Sequence, residues 1–454
     1  MENSKRITII GGGASGTLLA LNLLRHCGDQ PIVINVVEKR ERVGRGVAFS
    51  TMDECHLLNV PAAKMGAFPD EIEHFHRWLS DNGHDHGPSS FVPRKLFGQY
   101  LSELFEKASA ARPSTSKLDL HNSEAVDISI DGATAEVKLA SGNVLSSDKV
   151  ALAFGNFVPP HPSVENDDFI SAQKYFQDPW SRSVSEEISA DDSVLIIGTG
   201  LSMVDFAMRY HRSKHRGKIY AISTRGLLPA VHKLGYSYPG FFDEIGPMTR
   251  ITDMLKSVRR HIEAASSDSS DWRAVIDALR PHTQEIWLNL PLAEKKYFMQ
   301  HLSRYWNVAR HRMPAEAAEV IDEMRSSGKL TIMKGRLKRI DWLGSKFDVE
   351  FTSDGVRSHV STDAIINCIG SESNFERLDS PLVKSLFAGG YVRKDALSLG
   401  LDATPDGTLI GRDGQPSPLL RTLGTALKGV LWESTAVPEI RTQAKALSDR
   451  LLAS

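Results

Sequence analysis

Apolar runs that stop at a glycine recur along this chain. Residues 5–16, KRITIIGGGASG, read as an apolar strand, a glycine turn and a helix start, and residues 193–204, SVLIIGTGLSMV, repeat that order. Each is followed by its own sequel, at 117–156 and at 329–371. Both sequels alternate apolar and polar positions with period two, which predicts strands with one buried face. They break at Asp131-Gly132 and Ser141-Gly142, or at Leu343-Gly344 and Asp354-Gly355, and finish in apolar strands running to Gly155 and Gly370. The pattern predicts one unit written twice: strand, turn and helix, then a β-meander, then a returning strand.

Between Gly235 and Pro314 the alternation gives way to helical spacing. Starts are marked by Ser269 and Ser270 before Asp271, and by Pro291 and Pro314 near first turns. The C-terminal stretch 419–454 holds a short strand, LLRTLGTAL, and a helix opening near Pro438 that is expected to return to the first unit. The predicted fold class is α/β, with two Rossmann-like dinucleotide-binding domains, β-meanders and a helical insertion. The first domain is split between 1–165 and 371–454. The second is nested within it, at 190–235 and 315–370, and is itself interrupted by the insertion, 236–314. At roughly 150 residues per domain, 454 residues agree with this division.

Composition narrows the classes. With 54 basic and 56 acidic side chains, net −2, no global basic field favours nucleic acid or an anionic membrane. No run of 18 apolar residues and no signal-peptide pattern is present, so a cytoplasmic protein is expected. Cys27, Cys55 and Cys368 form no Cys-x-x-Cys pair, which disfavours reductases that depend on a paired dithiol. His84 and His86 lie in a polar loop without a carboxylate or cysteine at ligand spacing, and no metal site is expected.

The chemistry is carried by the glycines. Gly11, Gly13 and Gly16, with Ser15 between them, form G-x-G-x-x-G directly after a strand and at a helix start. The first glycine permits the tight turn, the second lets a pyrophosphate approach the backbone, and the third lets helix and strand pack closely. The next strand, residues 32–37, ends at Glu38, an acid 22 residues after Gly16 and suited to ribose hydroxyls. An acid there would repel a 2′-phosphate, so this site should hold FAD or NAD rather than NADP. In the second motif Gly198 and Gly200 are followed by Met203 in place of the third small residue, so its helix should sit farther from its strand. The following strand ends at Arg225, which is either a 2′-phosphate contact, implying NADPH, or a solvated loop arginine. Two such sites on one chain are explained if one holds a flavin and the other delivers hydride to it.

Residues 148–161, DKVALAFGNFVPPH, resemble the D-x3-L-A-T-G-Y-x4-H/P stretch of flavin-dependent N-hydroxylating monooxygenases, with Phe154 for threonine and Asn156 for tyrosine. Further motifs are Gly44-Arg45-Gly46-Val47-Ala48-Phe49, His56-Leu57-Leu58-Asn59-Val60-Pro61, Phe91-Val92-Pro93-Arg94 with Tyr100-Leu101, and Trp306 with Arg310-His311-Arg312. Ile366-Asn367-Cys368-Ile369-Gly370 and the stretch from Trp432 to Arg441 complete the set. Together they resemble the bacterial FAD-NAD(P)-binding protein family, related to N-hydroxylating and Baeyer–Villiger monooxygenases. The resemblance implies FAD at the first site and NADPH at the second. It names no substrate; the leading reading of the whole sequence is an NADPH-dependent FAD monooxygenase that oxygenates a small substrate with O2 through a C4a-peroxyflavin. An NAD(P)H dehydrogenase using an external acceptor is the alternative enzyme reading, and a non-catalytic flavin-binding sensor or assembly protein is the reading from another class.

Several residues have two readings. Arg94, at the polar start of the amphipathic helix in 91–108, reaches FAD phosphate or ribose, or is a surface arginine. Asn59 hydrogen-bonds the flavin or its oxygen adduct as the one catalytic candidate, or merely forms a turn. Gly155 lets the chain cross close to the cofactor, or ends a structural strand. Thr435 and Pro438 open a helix whose positive end faces the flavin, or one that is simply capped. In HLSRYWNVARHRMP (301–314), Arg304, Arg310 and Arg312 with Trp306 meet a carboxylated substrate or NADPH phosphates, or form a solvated face.

Overall fold

The computed structural model describes residues 4–267 and 270–453; Ser269, expected to mark a helix start, lies outside them. Strand β1 (Lys5–Ile10) pairs in parallel with β2 (Ile32–Val37), and β2 with β3 (Ser116–His121). An antiparallel meander of β4 (Ala125–Asp131), β5 (Thr134–Leu139) and β6 (Val144–Ser147) leads to β7 (Lys149–Leu152), which returns to the other side of β1. After the two-residue strand β8 (Tyr175–Phe176) the same order begins again. Strands β9 (Val194–Ile197), β10 (Ile219–Ser223) and β11 (Leu330–Lys334) are parallel neighbours. The second meander is β12 (Arg336–Trp342), β13 (Phe347–Ser353) and β14 (Val356–Thr362), and β15 (Ala364–Asn367) returns beside β9.

The C-terminal strands β16 (Thr408–Ile410) and β17 (Pro416–Thr422) join the first sheet, whose order is β16-β17-β7-β1-β2-β3. The second sheet runs β11-β10-β9-β15-β8. The protein is therefore α/β, with the second sheet's strands falling in sequence between those of the first. Buried on both faces, β9 reads as a continuous apolar run, and β1 is buried from Ile7 to Ile10 with Thr8 as its one polar residue there.

The two glycine turns repeat each other bond for bond. Gly11 N–H donates to Val37 (2.8 Å) and Ala153 N–H to Ile10 (2.8 Å); Gly198 N–H donates to Ile222 (2.7 Å) and Cys368 N–H to Ile197 (2.8 Å). Behind the first turn, helix Ala14–His26 packs Leu18, Leu19 and Leu23 against Ile440, Ala444 and Leu447 of the C-terminal helix Val437–Ala453. Behind the second, helix Leu201–Arg212 buries Met203 completely, in one cluster with Ile321 of helix Ala315–Ser326.

The segment between β10 and that helix is helical, as its spacing predicts: Phe242–Ile245, Ile251–Ser267, Trp272–Leu279, Thr283–Asn289, Leu292–His301 and Ser303–Arg310. Asp271 itself caps Trp272–Leu279, its carboxylate accepting from the Arg273 N–H. Trp287 and Phe298 pack against Trp432, so the insertion is docked on the C-terminal part of the first unit.

Candidate active site between two glycine turns

At the first turn Gly11 adopts φ +105°, and a Cβ there would stand 2.4 Å from the Ala153 carbonyl oxygen. A Cβ on Gly16 would stand 1.8 Å from the Gly11 carbonyl oxygen, so helix and strand meet only because that side chain is absent. Gly13 and Gly46 line the cradle of this turn face to face, a Cβ on Gly13 standing 3.4 Å from the Gly46 Cα. Glu38 is almost fully buried and binds the turn: its Oε2 accepts from Gly12 N–H and its Oε1 from Arg40 N–H, both at 2.8 Å. A carboxylate has about four acceptor positions, so capacity for ribose hydroxyls remains. Ser15 is buried against Gly424 of the C-terminal segment.

Arg45 stands beside this cradle and was not singled out from the sequence as a site residue. Its Nε is buried without a hydrogen-bond partner, and burial depresses its pKa with Arg42 adding to the effect. A phosphate would satisfy it, and the glycines on both sides of it were the available signal. The residues at the first turn thus fit a dinucleotide.

Gly155 is exposed just past β7, where the Thr425 hydroxyl donates to the Phe154 carbonyl (2.7 Å). Gly370 occupies the matching place after β15, with φ +104°. The side-chain amide of Asn59 has no hydrogen-bond partner among the described residues, while the Asn59 backbone carbonyl accepts from His232 Nε2 (3.0 Å). That bond ties the first unit to the chain entering the insertion.

At the second turn Gly198 has φ +117° and a Cβ there would stand 2.3 Å from the Cys368 carbonyl oxygen. A Cβ on Gly200 would meet nothing within 4 Å. Arg225 is exposed past β10, its guanidinium 5.3 Å from the centre of the Tyr305 ring, and it has no carboxylate partner among the described residues.

A cavity of about 310 Å³ opens beside Gly200. Thr199 and Leu201 line it from the second turn, Asn307 and His311 from the insertion, and Lys428, Trp432, Glu433 and Thr435 from the C-terminal segment. Trp432 adopts φ +59°, a conformation that costs a bulky residue about 1–3 kcal/mol and tends to mark functional positions. Trp306 donates its indole N–H to Glu433 (2.8 Å). Burial lowers the His311 pKa, with Glu433 opposing the shift, which keeps the ring neutral. Pro438 lines a second cavity on the other side of Glu433, with Arg280, Gln284 and Gln443.

Three arginines differ from expectation. Arg94 contacts no cofactor cradle: its guanidinium donates to Asp205 and to the Leu57 carbonyl, because a buried fork needs acceptors and helix Leu201–Arg212 supplies one. Arg312 is buried within the insertion, spending its nitrogens on Asp277 and on the carbonyls of Ala309 and Arg273, so none is left for a substrate. Arg310 is likewise buried, with Glu433 and Glu439 at 3.8 and 3.7 Å offsetting its charge. Arg304 is exposed on the same helix and has no carboxylate partner among the described residues.

Residues 8–157, which include the first turn and Glu38, match the family model described as FAD-NAD(P)-binding. No curated protein matches the chain in sequence. Among solved structures, the chain is similar over 99% of its length to the ornithine N-hydroxylase of Kutzneria sp. 744 with reduced FAD, NADP+ and L-ornithine, at 13% identity and TM-score 0.66 over 99% of that chain. The ornithine hydroxylase of Pseudomonas aeruginosa aligns over 99% of both chains with 14% identity and TM-score 0.65. The bacillithiol disulfide reductase of Staphylococcus aureus aligns over 99% of this chain and 98% of its own, with 12% identity and TM-score 0.54. The fold is that of two-dinucleotide-domain flavoenzymes.

Proposed function

We propose that this chain is an NADPH-dependent FAD monooxygenase acting on a small substrate. The observation that carries the reading is the cavity shared by three parts of the molecule: Gly200 and Thr199 of the second turn, Asn307 and His311 of the insertion, and Glu433 and Thr435 of the first unit. A nicotinamide nucleotide on the second turn and a flavin on the first would both reach it. Bound FAD would supply hydride acceptance and oxygen activation, with the C4a-peroxyflavin route part of this proposal.

The chain's own residues then bind, orient and exclude water. Glu38 and the first glycines hold one dinucleotide, and Gly200 with Arg225 the other. The docked insertion walls the cavity on one side with Asn307 and His311, which would limit the water reaching a flavin bound there. A carboxylated substrate would be met by Arg304, which is exposed without a carboxylate partner among the described residues, or by Arg310, whose Nε and Nη2 lack hydrogen-bond partners, while Arg312 is held by Asp277. The cysteines speak against thiol reduction: all three are free, and burial raises the pKa of each. A thiol held neutral is a poor nucleophile.

Anaerobic addition of NADPH to the FAD-loaded protein tests the reading. Bleaching of the flavin absorbance is expected, and an unchanged spectrum under saturating NADPH would overturn it.

A further inference from the structure

Lys428 starts the short helix Lys428–Leu431 of the C-terminal segment, and its side chain lines the cavity opposite the second glycine turn. Its ammonium lies 5.8 Å from the centre of the Trp432 ring. Among the described residues it has no hydrogen-bond acceptor and no carboxylate at ion-pair distance. Glu433 acts on it only from farther away, and that carboxylate is already engaged by Trp306 and Arg310. The residue is half-buried and its ammonium reaches the cavity's water without a counter-charge, so it is free to meet an anion placed in that cavity.

Across the cavity, helix Leu201–Arg212 begins at Gly200, whose open Cβ position leaves room for a ligand against the backbone. Its first N–H groups point toward the turn without intrahelical acceptors. The cavity therefore has a cation from the first unit on one wall and a helix start from the second unit on the other.

We infer that Lys428 is the contact through which the first unit grips the pyrophosphate of the nicotinamide nucleotide lying on the second turn. The nucleotide is then held by both units at once, and its nicotinamide end is fixed beside Thr435 and the flavin crevice. Arg225 and Lys428 divide the work: one meets the adenosine end, the other the middle of the dinucleotide. This rests on the functional reading above only for the second turn's occupant.

The test is equilibrium titration of the FAD-loaded protein with NADP+, followed by flavin difference absorbance, for wild type, Lys428→Met and Lys428→Arg. The methionine variant should bind NADP+ roughly 10- to 100-fold more weakly at equal FAD content, the arginine variant within about threefold of wild type. Inorganic pyrophosphate should compete with NADP+ in wild type and in the arginine variant, and not in the methionine variant. Binding by Lys428→Met within twofold of wild type would overturn the inference, including the case in which that variant loses affinity only for acetate or succinate, which would assign the ammonium to a carboxylated substrate. If the methionine variant loses FAD, wild-type protein decides: no competition by pyrophosphate overturns the inference. Binding requires no hydride transfer, so a protein that holds NADP+ through Lys428 yet is not bleached by NADPH would retain this inference and lose the monooxygenase reading.

Discussion

Arg94 and Asp205 form a buried ion pair, Nη1 to Oδ2 at 2.9 Å, between the first unit and the helix that starts at the second glycine turn. The pair ties that helix to the first unit. Breaking it from one side leaves a buried charge, so Arg94→Met should destabilise the protein by about 3–5 kcal/mol. The double variant Arg94→Met/Asp205→Leu should recover much of that loss. Denaturant unfolding of the two variants, with m-values compared, checks this; equal stability of single and double variants would contradict it.

Acid should weaken the fold between pH 6.5 and 4. Burial pushes the pKa of His56 down to about 4, with Asp53 opposing, and that of His232 to about 4, opposed by its bond to the Asn59 carbonyl. For groups depressed on folding, the stabilisation is full above the unfolded value of 6.5 and is lost as pH falls through 4. Asp205 acts in the opposite sense: burial raises its carboxyl from 3.8 to about 6, with Arg94 opposing, so its contribution is full below 3.8 and lost as pH rises through 6. Two histidines outweigh one aspartate. Thermal midpoints across this range should fall with pH in wild type and fall less in His232→Gln, which keeps a donor for the Asn59 carbonyl.

The two glycine turns should respond differently to one methyl group. Gly16→Ala places a carbon 1.8 Å from a backbone oxygen and should abolish FAD retention. Gly200→Ala has room for its Cβ, so FAD content and thermal midpoint should stay at wild-type values while NADPH affinity falls, because the methyl occupies the dinucleotide's approach. Unchanged NADPH binding by Gly200→Ala would place the nucleotide elsewhere.

Glu38→Ala should weaken FAD retention, since it frees the Gly12 and Arg40 N–H groups as well as removing the ribose acceptor. A hydrogen bond to a charged group is worth about 1.5–3 kcal/mol, so FAD loss on dilution or gel filtration is expected. Retention at wild-type strength would contradict the assignment of the first site.

Wild type should prefer NADPH to NADH, and Arg225→Ala should erase most of that preference. Losing a charge-assisted phosphate contact corresponds to roughly 10- to 150-fold in discrimination. Rapid-reaction rates of flavin reduction with both nucleotides check it; equal use of both by wild type would remove Arg225 from the site.

The repeated strand, glycine turn and helix were legible in the sequence because their requirements are local: an apolar run, a residue that tolerates φ above +100°, and a small residue where helix meets strand. Gly11 and Gly198 show this directly. The Met203 departure was also visible, and the structure absorbs that side chain into the core of the second unit. The arginines were legible only as cations. Which anion each meets is decided by chain folding, with Arg94 reaching Asp205 across 111 positions and Arg312 reaching Asp277 across 35. Lys428 carried no signal at all, since a lysine opening a four-residue helix has no pattern until the insertion closes over it.

The most direct test of the central claim follows the absorbance of protein reduced anaerobically with NADPH as it is mixed with O2. The account predicts a transient band at shorter wavelength than the oxidised-flavin maximum, lengthened in life by bound NADP+, before the oxidised spectrum returns. Single-phase return of the oxidised spectrum, with no such band with or without NADP+, would contradict a monooxygenase and assign the chain to electron transfer to an external acceptor.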